Sequence, residues 1–154
     1  MSLLRTGEYL DWCLKQEKFA EKLYLRLSRH PDVPERARSA FNELAEQEQE
    51  HYNSLTFVKR ILRESSELND PFTLSADEIG VIEEYDRKMQ HVSLDNLSFE
   101  NALELANELE AQFYEIHCLL ERTTESKELK AVFKKLRTGD HEHFQTLSRL
   151  LESR

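Results

Sequence analysis

Glu48 and His51 lie three positions apart on a stretch whose neighbours at helical spacing are apolar: Phe41 and Leu44 before them, Leu55 and Val58 after. Residues three or four apart share one helix face, so this carboxylate and imidazole point toward a core. The chain repeats the arrangement further on. Phe133 and Leu136 lead into Asp140, then His143, Leu147 and Leu150, at the same offsets. Two other stretches each carry a lone carboxylate on an apolar stripe. Glu17 falls among Leu10, Cys13, Ala20, Tyr24 and Leu27, and Glu110 falls at the same offsets among Leu103, Ala106, Phe113, His117 and Leu120. Glu17 precedes Glu48 by 31 positions and Glu110 precedes Asp140 by 30, so the chain reads as two copies of one helical hairpin.

A buried carboxylate without compensation costs several kcal/mol, and four facing one another repel. Cations resolve this: four carboxylates and two neutral imidazoles carry a ligand charge that balances two divalent ions. Carboxylate with imidazole suits iron, manganese or zinc, and the lack of thiolate disfavours copper(I). A lone Glu with a carboxylate-x-x-His pair, twice over, matches the pattern of di-iron and di-manganese helical bundles.

The elements that position these residues follow from periodicity and punctuation. Apolar residues at helical spacing predict four long helices over about residues 5–29, 34–64, 98–123 and 126–152. Pro31 and Pro34 separate the first two, since proline disfavours helix in the residue before it and suits a helix start. The connection between the second and third opens with an Asn69-Asp70-Pro71 turn, and Ser75 to Glu78 reads as a capping box starting a short helix toward Met89. The expected fold is therefore all-α: a four-helix bundle of two antiparallel pairs joined by a long crossover containing a short helix, in one domain over residues 1–154.

Composition agrees. Gly and Pro number three each, which favours long helices over strands. Lys and Arg total 21 against 30 Asp and Glu, a formal net charge of −9 that repels phosphate backbones and argues against nucleic acid as a partner. No apolar run reaches the roughly 20 residues that span a bilayer, so no membrane partner is expected. The two cysteines, Cys13 and Cys118, in a chain without a secretion signal suit a reducing, cytoplasmic setting.

The segments Glu17 to Tyr24, Phe41 to His51, Glu110, and Asp140-His141-Glu142-His143 resemble the ferritin-like superfamily. The likeness is nearest the erythrin domain of rubrerythrins and more distant to bacterioferritin. It implies a non-haem di-iron centre with Glu17 and Glu110 as terminal ligands, Glu48 and Asp140 as bridges, and His51 and His143 binding one metal each. It also implies an oxidoreductase that reduces peroxide or dioxygen with electrons from another protein, in a homodimer. Ferroxidase or iron-handling activity, and a non-catalytic metal-binding bundle, are the alternatives. Tyr24 and His117, each seven residues beyond a lone Glu, are expected as core hydrogen-bonding residues or as groups that orient a ligand or pass protons. The chain differs from its likenesses in three places: Asp140 where Glu is usual, Phe113 where rubrerythrins carry a second Glu, and Gln49 where bacterioferritin has its haem Met. Gly139, beside Asp140, reads as room for close packing or as a local bulge.

Overall fold

Each expected helix forms, with its ends set by local chemistry. In the computed structural model, which describes residues 4–153, α1 spans Thr6–Arg29 and α2 spans Glu35–Glu64. The crossover helix α3 spans Ala76–Gln90, and α4 (Phe99–Thr123) and α5 (Lys127–Glu152) complete the set. Serine hydroxyls start the last three. Ser75 Oγ accepts from the Glu78 amide at 3.2 Å while Glu78 accepts from the Ser75 amide at 2.8 Å, closing the expected capping box. Ser98 and Ser126 accept from the amides of Asn101 and Leu129. Pro34, which lacks an amide hydrogen, sits immediately before α2.

Side-chain bridges give the helix directions. Lys18 meets Gln49 and Lys59 meets Asp11, so α1 and α2 run antiparallel. Arg137 meets Glu121 and Asn107 meets Ser148, so α4 and α5 do the same. Across the pairs, Tyr24 reaches Glu110, and Lys135 reaches Ser54. α1 thus lies against α4, and α2 against α5. The result is an all-helical bundle around one core that includes Leu10, Leu27, Phe41, Leu55, Leu103, Phe133 and Leu136.

The crossover is pinned at both ends. Residues Leu4–Arg5 (β1) pair antiparallel with Pro71–Phe72 (β2), a contact that the turn reading of Asp70-Pro71 does not anticipate. Tyr9 packs on Phe72 beneath it. Trp12 is half-buried and donates through Nε1 to Asp86 of α3 at 2.9 Å, tying the crossover helix to α1. No helix among the described residues is long and apolar enough to cross a membrane.

Candidate metal centre

The four long helices each deliver ionisable side chains to the middle of the core. Glu17, Glu48, Glu110 and Asp140 are all at most 1% exposed, and His51, His117 and His143 are buried with them. Each helix is apolar on the same stripe before and after these groups, which holds them in the core.

Two compact groups emerge. Glu17, Glu48 and His51 form one, and Glu48, Glu110 and His143 form the other, with ligand atoms in each within 4.8 Å of one another. Glu48 belongs to both. His51 Nδ1 stands 3.6 Å from Glu17 Oε2 and 3.6 Å from Glu48 Oε2, too far for hydrogen bonds. His143 Nδ1 lies 2.7 Å from Glu48 Oε1 and 3.2 Å from Glu110 Oε1. Both imidazoles therefore turn the same nitrogen inward, and their rings stack with centroids 5.5 Å apart.

Charge is badly unbalanced in this pocket. Six carboxylate oxygens lack a hydrogen-bond partner: both of Glu17, both of Glu48, Glu110 Oε2 and Asp140 Oδ1, with His51 Nδ1 beside them. Burial, then repulsion from Glu48, pushes Glu17 up to about 7. Burial and the charges of Glu110, Glu17 and Glu48 push Asp140 well above the usual carboxylate range. Burial alone would lower His51, but Glu17 and Glu48 outweigh it and raise the ring to about 10. His143 rises to about 11 against burial because Glu110 and Glu48 flank it. Burial and Glu110 would raise Glu48, yet its close contacts with Glu17, His143 and His51 hold it below its ordinary value. Orphaned, desolvated acceptors that distort one another's protonation suit a cation. Oxygen and imidazole donors fit divalent iron, manganese or zinc, and these groups can hold a metal ion.

The surroundings hold the ligands in place. Tyr24 donates its hydroxyl to Glu110 Oε1. His117 Nδ1 lies 2.5 Å from Asp140 Oδ2, and burial lowers this ring below its ordinary value. Asp140 falls outside both compact groups, although its carboxylate is in the same pocket. Phe113 is buried and packs against His117 and Tyr85. His141 and Glu142 face solvent, as do Glu43, Glu46 and Glu50.

One contributor escapes the sequence reading. Gln47 Oε1 stands 2.7 Å from His143 Nε2 and so can accept its hydrogen, which leaves Nδ1 free to bind a metal. Its only sequence signal is its place beside Glu48. Of the two readings of Gly139, the structure takes close packing: a Cβ there would lie 2.5 Å from His51 Nε2, so the missing side chain makes room for the imidazole. A surface cavity of about 650 Å³ lies elsewhere, along the outer side of α1 between Trp12, Phe19, Tyr52 and Met89. The groove that reaches His51 and His143 is about 450 Å³, between α2 and α5, with Lys134, Lys135 and Thr138 on its rim.

The sequence pattern of the family described as uncharacterized protein domain DUF2202 matches residues 7–154, which takes in every residue of the centre and all of the helices but the first residue of α1. The chain belongs to that family. No curated protein and no solved structure matches the chain. In this DUF2202 domain the buried acid–imidazole pocket is thus carried by the family-matched segment itself.

Proposed function

We propose that this DUF2202 domain is a ferritin-like di-metal protein, with iron as its metal, that reduces peroxide or dioxygen. The observation that carries the reading is Glu48, a buried carboxylate shared by two Glu-Glu-His groups. A shared carboxylate flanked by two three-donor groups is the arrangement that holds two cations side by side. Helix directions and the long crossover between α2 and α4 support the ferritin-like arrangement.

Glu17, Glu48 and His51 would hold one ion, and Glu48, Glu110 and His143 the other. Iron(II) held there would supply two electrons to a small oxidant. The chain's residues do the rest. Glu17, Glu48 and Glu110 supply negative charge that offsets the cations in a medium of low polarity. Gln47 holds the proton on His143 Nε2, and Tyr24 keeps a proton at its hydroxyl oxygen next to Glu110 Oε1. Phe113 and Phe133 keep water from the His117 side. The groove between α2 and α5 offers an oxidant of two or three atoms a route to His51 and His143. Electrons would come from a donor protein. A homodimer in the cytoplasm is part of the same proposal, carried by the resemblance alone.

Phe113 favours a second reading on the same centre. Apolar where rubrerythrins have a Glu, it suits oxidation of iron(II) for storage or buffering, which gel filtration would reveal as a large shell.

The deciding experiment is metal analysis of anaerobically purified protein, with absorption spectra before and after peroxide. About two irons per chain and a near-ultraviolet band that bleaches on reduction support the proposal. Zinc, or no metal, persisting after reconstitution with iron(II) would replace it with a non-catalytic bundle.

A further inference from the structure

Asp140 and His117 both lie outside the two Glu-Glu-His groups, and Asp140 Oδ2 meets His117 Nδ1 at 2.5 Å. In the tautomer in which Nδ1 donates to an ionised Asp140, as a nearby cation would favour, His117 Nε2 is a bare acceptor. It faces Glu17 Oε1 at 3.6 Å, and that oxygen has no hydrogen-bond partner of its own. Two acceptors that face each other inside a core repel unless something positive lies between them. Two donor atoms bound to one ion at about 2.1 Å, at a tetrahedral angle, stand about 3.4 Å apart. His51 Nδ1 keeps the same 3.6 Å from the other oxygen of Glu17. Glu17 therefore has an imidazole nitrogen opposite each of its oxygens.

We propose that His117 is a metal ligand through Nε2, on the ion beside Glu17, and that Asp140 is the carboxylate that orients its ring. The inference rests on the two-metal reading above and departs from the six-ligand set that the resemblance implies. Ring-orienting carboxylates of this kind hold metal-binding imidazoles in the correct tautomer. The short arm of Asp140 suits the task, because it is one methylene less than the glutamate usual at the bridging position. The matching place in the other half of the centre is taken by Tyr24, whose hydroxyl goes to Glu110. The two halves are consequently unlike: His51 and His117 serve one ion, and His143 alone serves the other.

The test is titration of the metal-free full chain with cobalt(II) under argon, followed by calorimetry and by the visible absorption of the bound ion. X-ray absorption on protein loaded with one zinc per chain then counts imidazoles. Wild type is compared with His117→Asn and Asp140→Asn. Asparagine at 117 keeps a donor near the position of Nδ1 but has nothing at Nε2, so it separates a ligand from a group that merely steadies Asp140. Circular dichroism of the metal-free variants checks folding. Wild type should bind two ions with distinct affinities. Both variants should weaken the same single ion by about 10–100-fold and leave the other within about threefold. The imidazole count at that ion should fall by one in His117→Asn. The inference is overturned if His117→Asn binds both ions as wild type does while Asp140→Asn weakens both, which would make Asp140 a bridge. Wild type that takes up no metal overturns the two-metal reading and this inference together, an outcome that the variants are not needed to recognise.

Discussion

Gly139 and His51 compete for the same space: a methyl group on residue 139 would lie 2.5 Å from His51 Nε2. Gly in the middle of a helix normally costs about 1 kcal/mol relative to Ala. Gly139→Ala therefore sets helix propensity against the position of one imidazole. The ring is the movable partner, so metal-free Gly139→Ala should fold with stability within about 1 kcal/mol of wild type. Its affinity for the ion beside His51 should fall about 10–100-fold, because Nδ1 turns away from Glu17 and Glu48. Thermal melts and cobalt(II) titration measure the two effects separately. A variant that binds metal as wild type does would mean that the close approach has no functional consequence.

Glu48→Gln should differ in kind from Glu110→Gln. Glu48 is shared by both groups, whereas Glu110 belongs to one. The first substitution should therefore weaken both ions, each by more than about tenfold, and the second only one. Stoichiometry by calorimetry reads the difference directly.

Loading with metal should release protons. His51, raised to about 10, and His143, raised to about 11, both carry a second proton at pH 7 in the metal-free chain. Ligation needs neutral imidazoles, so close to two protons should leave as two ions bind, and Glu17, at about 7, should add a fraction. Apparent affinity should accordingly rise between pH 6 and 8. Calorimetry in buffers of different ionisation heats counts the protons. The sign for folding is opposite. Histidines raised in the folded state contribute stability that is present below their ordinary value of 6.5 and is lost as pH climbs through about 10 and 11. Metal-free protein should thus melt at a lower temperature at pH 9 than at pH 6.5.

Tyr24→Phe removes the hydroxyl that donates to Glu110 Oε1. The aromatic volume stays, so the change isolates one hydrogen bond to a buried charge. Stability should fall by about 1–3 kcal/mol in the metal-free protein. The loss should shrink once metal neutralises Glu110. Urea melts with and without zinc provide the comparison.

How much of this was legible beforehand varies with the kind of feature. The four long helices, their order and the crossover helix follow from apolar spacing together with serine and proline signals. Ser75 closes its capping box and the proline between the first two helices stands at the start of α2, because caps act over three or four residues and need nothing from the rest of the fold. The β1–β2 contact was not legible, because its two-residue strands lie more than sixty positions apart and carry no periodicity.

The sequence by itself determined which faces are buried, and hence that Glu17, Glu48, His51, Glu110, Asp140 and His143 share a core with Tyr24 and His117. Helical period places a residue on a face, and that is a local property. Tertiary structure alone decided who meets whom across the core. It gives Glu48 to both groups, hands Asp140 to His117, sets Gln47 against His143 and makes Gly139 the room for His51. Those relationships depend on separations between helices and on side-chain rotamers. A difference of one methylene or one ångström changes the partner, and only the packed core sets distances that fine.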